Sequence, residues 1–322
     1  MKRILLLSAL AASLCGCAKE DIVICEVDGG VTPPVTTPTK FASIADFATR
    51  YGAAPQLFSL PARTFQSVVT AKGNRFTFAH NNFIRTDNQP LSNSPIRVRI
   101  REIMGKADMV LSAMPTVAQQ GELLESAGEF QIQAMQDSVP LRINDTTRVR
   151  FQTVLPPVLN SQQGMQLFVG NGVGGGAAGC FSWIPLPTAA FAPTGNGFSG
   201  SVQGSLMNAG LGWINCDRFV GLPTSPPLPI TVNAPNVSKT KTAVFVVFDE
   251  LNAVLQICGD GSNKFTASQL PTGAKVNVLV IHVDNERVYY AKQSLVVGSA
   301  TAVTLTPTEA DVTAMVADIR TL

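Results

Sequence analysis

Arg97, Arg99 and Arg101 recur at two-residue spacing in the run Ile96-Arg97-Val98-Arg99-Ile100-Arg101. A guanidinium offers a planar fork of donors that suits carboxylate, phosphate or sulfate groups. In an extended chain, alternate residues share a face, so the three forks form one row. Such a row fits an anionic glycan or lipopolysaccharide, and it also fits a solvated outer face that discourages edge pairing. Arg148 and Arg150 repeat the pattern once. Trp213, Asn215 and Asp217 follow the same spacing. An aromatic ring beside amide and acid groups can hold a sugar by stacking and hydrogen bonding; the competing reading is a packed Trp next to an Asx turn.

Residues for catalysis are sparse. The chain has two histidines. His282 with Asp284 or Asp249 supplies two parts of a triad, but no GxSxG elbow accompanies them, and His282 sits in an alternating strand pattern. Glu102, Glu125 and Glu129 are candidates for paired carboxylates, yet they also fall within strands and turns. Gly170, Gly172 and Gly175 satisfy GxGxxG, but the residues that follow do not open a helix, as a dinucleotide site requires. No calcium loop of the D-x-[DN]-x-[DN]-G type is present, and Asp260-Gly261-Ser262-Asn263 reads as a hairpin turn. The expectation is a chain without catalysis, cofactor or metal.

Composition narrows the class further. Apolar residues make up 45% of the 322, enough for packed cores, while charged residues are 14%. Residues 1–16 hold Lys2, Arg3 and no acid, so their removal takes 24 basic against 22 acidic to an even 22 and 22. A neutral chain lacks the basic surface that nucleic-acid binding needs.

The elements that position these residues read as strands. Ser67-Val69, Arg75-Phe78, Ile96-Arg101, Val139-Ile143 and Arg148-Leu155 alternate and are separated by turn clusters such as Asp87-Pro90. Further strands are expected at Gln166–Val169, Ser182–Ile184 and Gly212–Asn215. Another set covers Pro229–Asn233, Ala243–Phe248, Val254–Ile257, Val276–Val283, Val288–Lys292 and Ala302–Leu305. This is an all-β chain of two or three sandwich units. A short N-terminal helix is expected within Phe41–Tyr51, capped by Ser43 with Asp46 three residues on. A C-terminal helix is expected behind the box Thr306-Pro307-Thr308-Glu309, with Val312, Met315, Val316 and Ile319 as its apolar stripe.

The N-terminus is an export label. Lys2-Arg3 precedes an apolar run from Ile4 to Leu14, too short to span a bilayer. Leu14-Cys15-Gly16-Cys17 resembles the lipobox of bacterial lipoproteins. The resemblance implies that Cys17 becomes the first mature residue and carries acyl chains, palmitate among them, which hold the protein to a membrane. Ala18 in place of Asp favours the outer membrane by the same likeness. Lys19-Glu20-Asp21 resembles the surface-export signal of Bacteroidetes lipoproteins, with the periplasmic face as the alternative. Residues 17–40, rich in Pro and Thr, form an extended tether. Of the other cysteines, Cys25, Cys180, Cys216 and Cys258 remain in an oxidising compartment and allow three disulfide connectivities. Asp137-Ser138-Val139 and Asp145-Thr146-Thr147 resemble O-glycosylation acceptors.

Within 73–134, Gly73-x-x-Phe76-x-Phe78, Asn82-Phe83, Ile96-x-Val98-x-Ile100-x-Glu102-Ile103, Ala107-Asp108-Met109-x-Leu111-Ser112-x-Met114-Pro115-Thr116 and Leu123-Leu124-Glu125-Ser126-Ala127-Gly128-x-Phe130-x-Ile132-x-Ala134 form an ordered set. Together they resemble the N-terminal sandwich of a Bacteroidetes outer-membrane lipoprotein family that is distantly similar to ZU5 domains. The chain departs from that pattern at Ala79-His80 and Ala127. The family has no established activity, so the resemblance brings no catalytic residues. Lys264-Phe265, Leu270-Pro271 and Gly273 before Val276–Val283 resemble Ig/transthyretin-like sandwiches. The expected division is a signal at 1–16, the tether at 17–40, a ZU5-like sandwich at 41–155, an irregular Gly/Pro-rich region at 156–235 and a transthyretin-like sandwich with the C-terminal helix at 236–322. The expected role is adhesion, scaffolding or ligand binding by a lipid-anchored envelope protein. Its expected partners are the membrane, through its acyl chains, and an envelope protein or glycan. A glycan-binding accessory lipoprotein and a hydrolase are the alternatives.

Overall fold

Alternating apolar residues force strands to pair, because each strand must bury one face and satisfy its backbone. The computed structural model describes residues 22–23, 40–159, 161–171, 181–221, 226–257 and 263–322. Cys17, Cys25, Cys180, Cys258, the signal, Gly172, Gly175 and Asp260 lie outside the described residues, as does nearly all of the tether. The described chain is mostly strand, with short helices near either end of the folded body, in agreement with the all-β sandwich expectation.

Two sheets build a first sandwich. The first runs in the order β1 (Ile22–Val23), β3 (Gln66–Val69), β4 (Arg75–Phe78), β9 (Arg148–Val154), β13 (Gly197–Gln203), β12 (Ala190–Pro193). The second runs β11 (Trp183–Pro185), β10 (Gln166–Gly170), β14 (Trp213–Phe219), β7 (Leu124–Gln136), β6 (Ile96–Ile103), β2 (Gln56–Leu60). β8 (Val139–Ile143) also pairs with β7 and carries β5 (Phe83–Arg85). Between the sheets lie Val68, Phe76, Val149, Phe151 and Phe198, facing Phe58, Val98, Ile100, Phe130 and Ile214.

Two smaller sheets build the second sandwich. One is β18 (Lys264–Leu270), β15 (Leu228–Asn233), β21 (Ala302–Thr304); the other is β17 (Val254–Ile257), β16 (Thr242–Phe248), β19 (Lys275–Asp284), β20 (Arg287–Val296), β22 (Thr308–Glu309). Ile230, Val232 and Phe265 pack there against Val244, Val246, Val278 and Val280.

A third core joins the sandwiches. The other faces of β16 and β19 bring Phe245, Val247, Leu279 and Ile281 against Ile103, Leu124, Phe168 and Trp183 of the first sandwich. Helices α1 (Ile44–Tyr51), α2 (Lys106–Leu111) and α4 (Val312–Ile319) close this core with Phe47, Met109, Leu111, Met315 and Ile319. A fourth helix, α3 (Gly204–Ala209), lies over β8 and β13. This explains why Ala243–Phe248 reads as one unbroken apolar run. A strand covered on both faces has no polar side.

Two expectations change. Residues 156–235 are not a separate irregular region: β13 pairs with β9 and β14 with β7 in the first sandwich, while β15 belongs to the second. The helix expected within Phe41–Tyr51 is present and starts where Ser43 caps it, with Asp46 N–H donating to Ser43 Oγ at 3.1 Å, and it packs on the joining core. Thr306 and Glu309 do not cap the last helix. Thr308–Glu309 instead extend the open edge of β20, where Arg287 holds Glu309 at 2.7 Å, and Asp311 becomes the cap by accepting from Ala314 N–H at 2.8 Å. An available strand edge outweighs a helix turn at these residues. The expected stripe holds otherwise, with Met315, Val316 and Ile319 buried.

Asp311→Ala is expected to cost about 1 kcal/mol of stability. Thr306→Ala is expected to cost under about 0.5 kcal/mol. Urea unfolding of the two variants distinguishes the two caps.

Candidate anion-binding face and the buried acid patch beneath the second sandwich

The sheet register turns a sequence spacing into a surface. Along β6, Ile96, Val98 and Ile100 point into the first core, so Arg97, Arg99 and Arg101 stand on the opposite face. Pairing then sets three rows. Ser59, Arg97 and Met135 lie in one, Leu57, Arg99 and Gln133 in the next, and Arg101, Gln131 and Trp213 in the third. The arginine and tryptophan clusters are therefore parts of one face, brought together by the strand β7 between them. Gly212 makes this possible: with φ at +79°, it lays its backbone against Ile132, where a Cβ would collide with the Ile132 carbonyl. Trp213 can then enter the row beside Gln131.

Arg97 is exposed, and Arg99 and Arg101 are partly covered. None of the three forms an ion pair with a described residue, and the Nε of Arg101 is buried without a partner. Burial, and then the charge of Arg99, hold the Arg101 guanidinium below its ordinary pKa. Successive same-face residues on a strand stand about 6.6–7 Å apart, so three like charges repel along the row. An anion lying across them would relieve that repulsion. Two depressions border the row: a groove of about 560 Å³ lined by Arg99, Gln131, Gln133 and Trp213, and a more polar one of about 360 Å³ lined by Ser59, Ser94, Arg97, Ser138 and the carboxylate of Asp137.

Trp213, Asn215 and Asp217 do not form the solvent-facing sugar contact that their types suggest. They run inward under the second sandwich. Trp213 is 6% exposed and meets Trp183 edge-on at 6.2 Å and Phe181 at 6.0 Å, while Asn215 and Asp217 are fully buried. The tryptophan thus forms the inner wall of the groove, and the two polar residues belong to a different feature.

That feature is a buried acid patch. A bulge in the pairing of β14 with β7 sets Ser126 opposite Asp217 and Glu129 opposite Asn215. All four residues are fully buried. Ser126 Oγ donates to Asn215 Oδ1 at 3.0 Å, and Asn215 Nδ2 donates to Asp217 Oδ2 at 2.5 Å. From the second sandwich, Asn252 reaches across: its Nδ2 donates to Ser126 O at 2.8 Å and Met104 O at 3.0 Å, and its own carbonyl accepts from Ser126 N–H. Burial pushes the carboxyls of Glu129 and Asp217 well above the ordinary range, and their proximity raises Glu129 further. Asn252 has no pattern in the sequence that would single it out. It sits in a turn, and its role appears only when two distant sandwiches meet.

The other candidates separate. His282 Nδ1 lies 2.9 Å from Thr242 Oγ1 and 3.2 Å from Lys241 O, and burial lowers its pKa. Asp284 is held by Lys241 at 2.6 Å and Asp249 by Asn277 at 2.8 Å, so neither orients the histidine. Glu102 accepts from Thr70 and Asn74 at 2.5 Å and Gln56 at 2.6 Å, and Glu125 pairs with Arg218 at 2.5 Å. Arg148 and Arg150 share the outer face of the first sheet, as their spacing implies. Cys216 is a free, buried thiol in the first core, which takes it out of any disulfide scheme. No family model, curated protein or solved structure matches this chain.

Trp213→Ala is expected to destabilise the fold by about 3–5 kcal/mol. Arg97→Ala on the same face is expected to stay within about 0.5 kcal/mol of wild type. Chemical denaturation followed by circular dichroism measures both.

Proposed function

We propose that this chain is an outer-membrane lipoprotein, anchored by acyl chains on Cys17 and displayed at the cell surface. Its folded part is a non-catalytic platform that binds an anionic glycan of the envelope. The observation that carries the binding half is the row of Arg97, Arg99 and Arg101: three guanidinium groups on one sheet face, in ion pairs with no described residue, beside two depressions. Structural arginines ordinarily find carboxylates. Here no described carboxylate bonds the forks: Asp137 is held by Ser92 and Arg85, Glu102 by Thr70, Asn74 and Gln56, and Glu129, diagonal to Arg101 on the same face, bonds none of them. Carboxylate or phosphate groups on a polysaccharide would accept the forks, while Gln131, Gln133 and the Ser59, Ser94 and Ser138 side chains offer hydrogen bonds to sugar hydroxyls.

The anchoring half rests on the Lys2-Arg3 start, the short apolar run and the Gly16-Cys17 junction. Among the described residues, no helix is long and apolar enough to cross a membrane. The Pro- and Thr-rich tether that follows would span on the order of 70 Å if fully extended at ~3.1 Å per residue. That length holds a sheet face away from lipid and toward solvent polymers.

Replacing Arg97, Arg99 and Arg101 together by Gln is expected to weaken binding to an acidic polysaccharide, such as purified lipopolysaccharide, by at least about tenfold, since each charge-assisted bond contributes on the order of 1.5–3 kcal/mol. Binding by wild type should fall with added salt. Equal affinity in the triple variant would remove the face from consideration. Cys17→Ala is expected to shift the protein from the detergent phase to the aqueous phase in cell fractionation and to abolish labelling by a palmitate analogue.

A further inference from the structure

Four buried oxygens at the junction of the two sandwiches lack a hydrogen-bond donor: Oε1 and Oε2 of Glu129, Oδ1 of Asp217 and Oδ1 of Asn252. Such groups cost about 1–3 kcal/mol each when left unmet, and native folds rarely leave them so without water or an ion. All four are acceptors. The side-chain donors of the patch are already engaged: the one Ser126 hydroxyl is shared between Asn215 and Asp217, Asn215 donates to Asp217 Oδ2, and Asn252 donates to two backbone carbonyls.

The surrounding cations do not supply the missing charge. Arg218 is committed to Glu125, and Lys106 of α2 donates to the carbonyls of Phe248 at 2.9 Å and Asp249 at 3.1 Å. Arg101 stands one row further out, opposite Gln131, and bonds neither acid. Two carboxylates therefore share a dry patch with an amide oxygen and no positive partner.

We propose that Glu129, Asp217 and Asn252 bind a hard divalent cation of the calcium type, which ties the first sandwich to the second. The donor set selects the ion. It contains only oxygen, with no histidine or thiolate, which disfavours zinc and copper. Calcium accepts 6–8 oxygens with irregular geometry. A bidentate Glu129, one oxygen of Asp217 and Asn252 Oδ1 would give four, and waters would complete the shell. The register supports this grouping. Glu129 lies opposite Asn215 and Asp217 opposite Ser126, so the acids are diagonal neighbours on one face, and Asn252 is bonded to the backbone of Ser126 between them. Two formal negative charges and a preformed but small donor set place the expected affinity in the weak range of extracellular calcium modules, Kd about 10⁻⁴–10⁻³ M. The ligands come from β7, β14 and the turn between β16 and β17, so the ion would stabilise the docking of two sandwiches that meet otherwise through apolar packing. This site is independent of the arginine face, and either proposal can fail alone.

The test uses the full chain in detergent, stripped with EDTA and then titrated with calcium chloride, with magnesium chloride as the comparison. At calcium well above Kd, Tm is expected to rise by about 5 °C or more, with a smaller response to magnesium. Terbium bound at the site should luminesce when tryptophan is excited, because Trp213 occupies the adjacent row. Glu129→Gln should lose the calcium shift and the terbium signal while melting, without calcium, at or above the wild-type temperature, since it replaces an acid that burial makes costly to ionise with a neutral amide of the same shape. Asp217→Asn is the second variant should the first not fold, and it should lose both signals too. A wild-type Tm that is the same in EDTA and in calcium would overturn the proposal and leave the two acids sharing protons or a water. A Glu129→Gln protein that keeps the calcium shift would overturn it equally.

Discussion

The second sheet of the first sandwich must serve two cores at once. One face meets the first sheet through Val98, Ile100, Phe130 and Ile214, and part of the other meets the second sandwich through Ile103, Leu124 and Phe168. Burying large apolar side chains contributes roughly 1.5–3 kcal/mol each, so the joining core, with Phe245, Leu279, Ile281, Met109 and Met315 added from other elements, is a major source of stability. It also fixes how far the second sandwich covers the sheet. Every functional reading follows from where that cover stops.

The boundary runs between the rows of β7. At Glu129 the sheet is fully covered, at Gln131 it is partly open, and at Gln133 it is exposed. Residues with similar chemistry therefore meet opposite fates. Arg97 remains exposed and Arg99 only partly covered. Glu129 and Asp217, a few residues away on neighbouring strands, are stripped of solvent and left with orphan oxygens. Electrostatic effects that are small at a surface become large when water is removed. The polar patch under the cover is thus either a specific binding feature or a standing cost, whereas the arginine row outside it is cheap to keep.

Trp213 marks the transition between these regimes. Its ring packs with Trp183 and Phe181 on the covered side, and its edge lines the groove on the open side. An aromatic in that position makes the groove rigid without offering a free stacking surface. A ligand on the proposed face would therefore meet hydrogen-bonding groups and charge more than an aromatic ring. The bulge that separates Asn215 from Asp217 in the pairing with β7 has the same two-sided effect. It re-aims Ser126 and Glu129 so that four polar side chains gather on one face.

Strand periodicity was legible from the chain alone. Ile96-Arg97-Val98-Arg99-Ile100-Arg101 announces a buried face and an arginine face, Ser43 announces a helix start, and Met315, Val316 and Ile319 announce a buried stripe. These are local consequences of the two-residue and 3.6-residue repeats. Which strands pair, and what covers them, depends on contacts between residues far apart in sequence. The domain limits at 155 and 235 failed for that reason: strands within 156–235 complete sheets begun before 155, and β15 joins strands after 236. Glu309 looked like a helix cap because local pattern cannot weigh a distant strand edge. Trp213, Asn215 and Asp217 fitted both a sugar contact and a packed Trp, because spacing assigns residues to a face without saying whether another sandwich will sit on it; their burial selects the packed reading. The chain determined the period of each strand and the chemistry each face carries. Only the tertiary structure decided which stretch of that chemistry keeps its water, because desolvation is a property of what packs opposite.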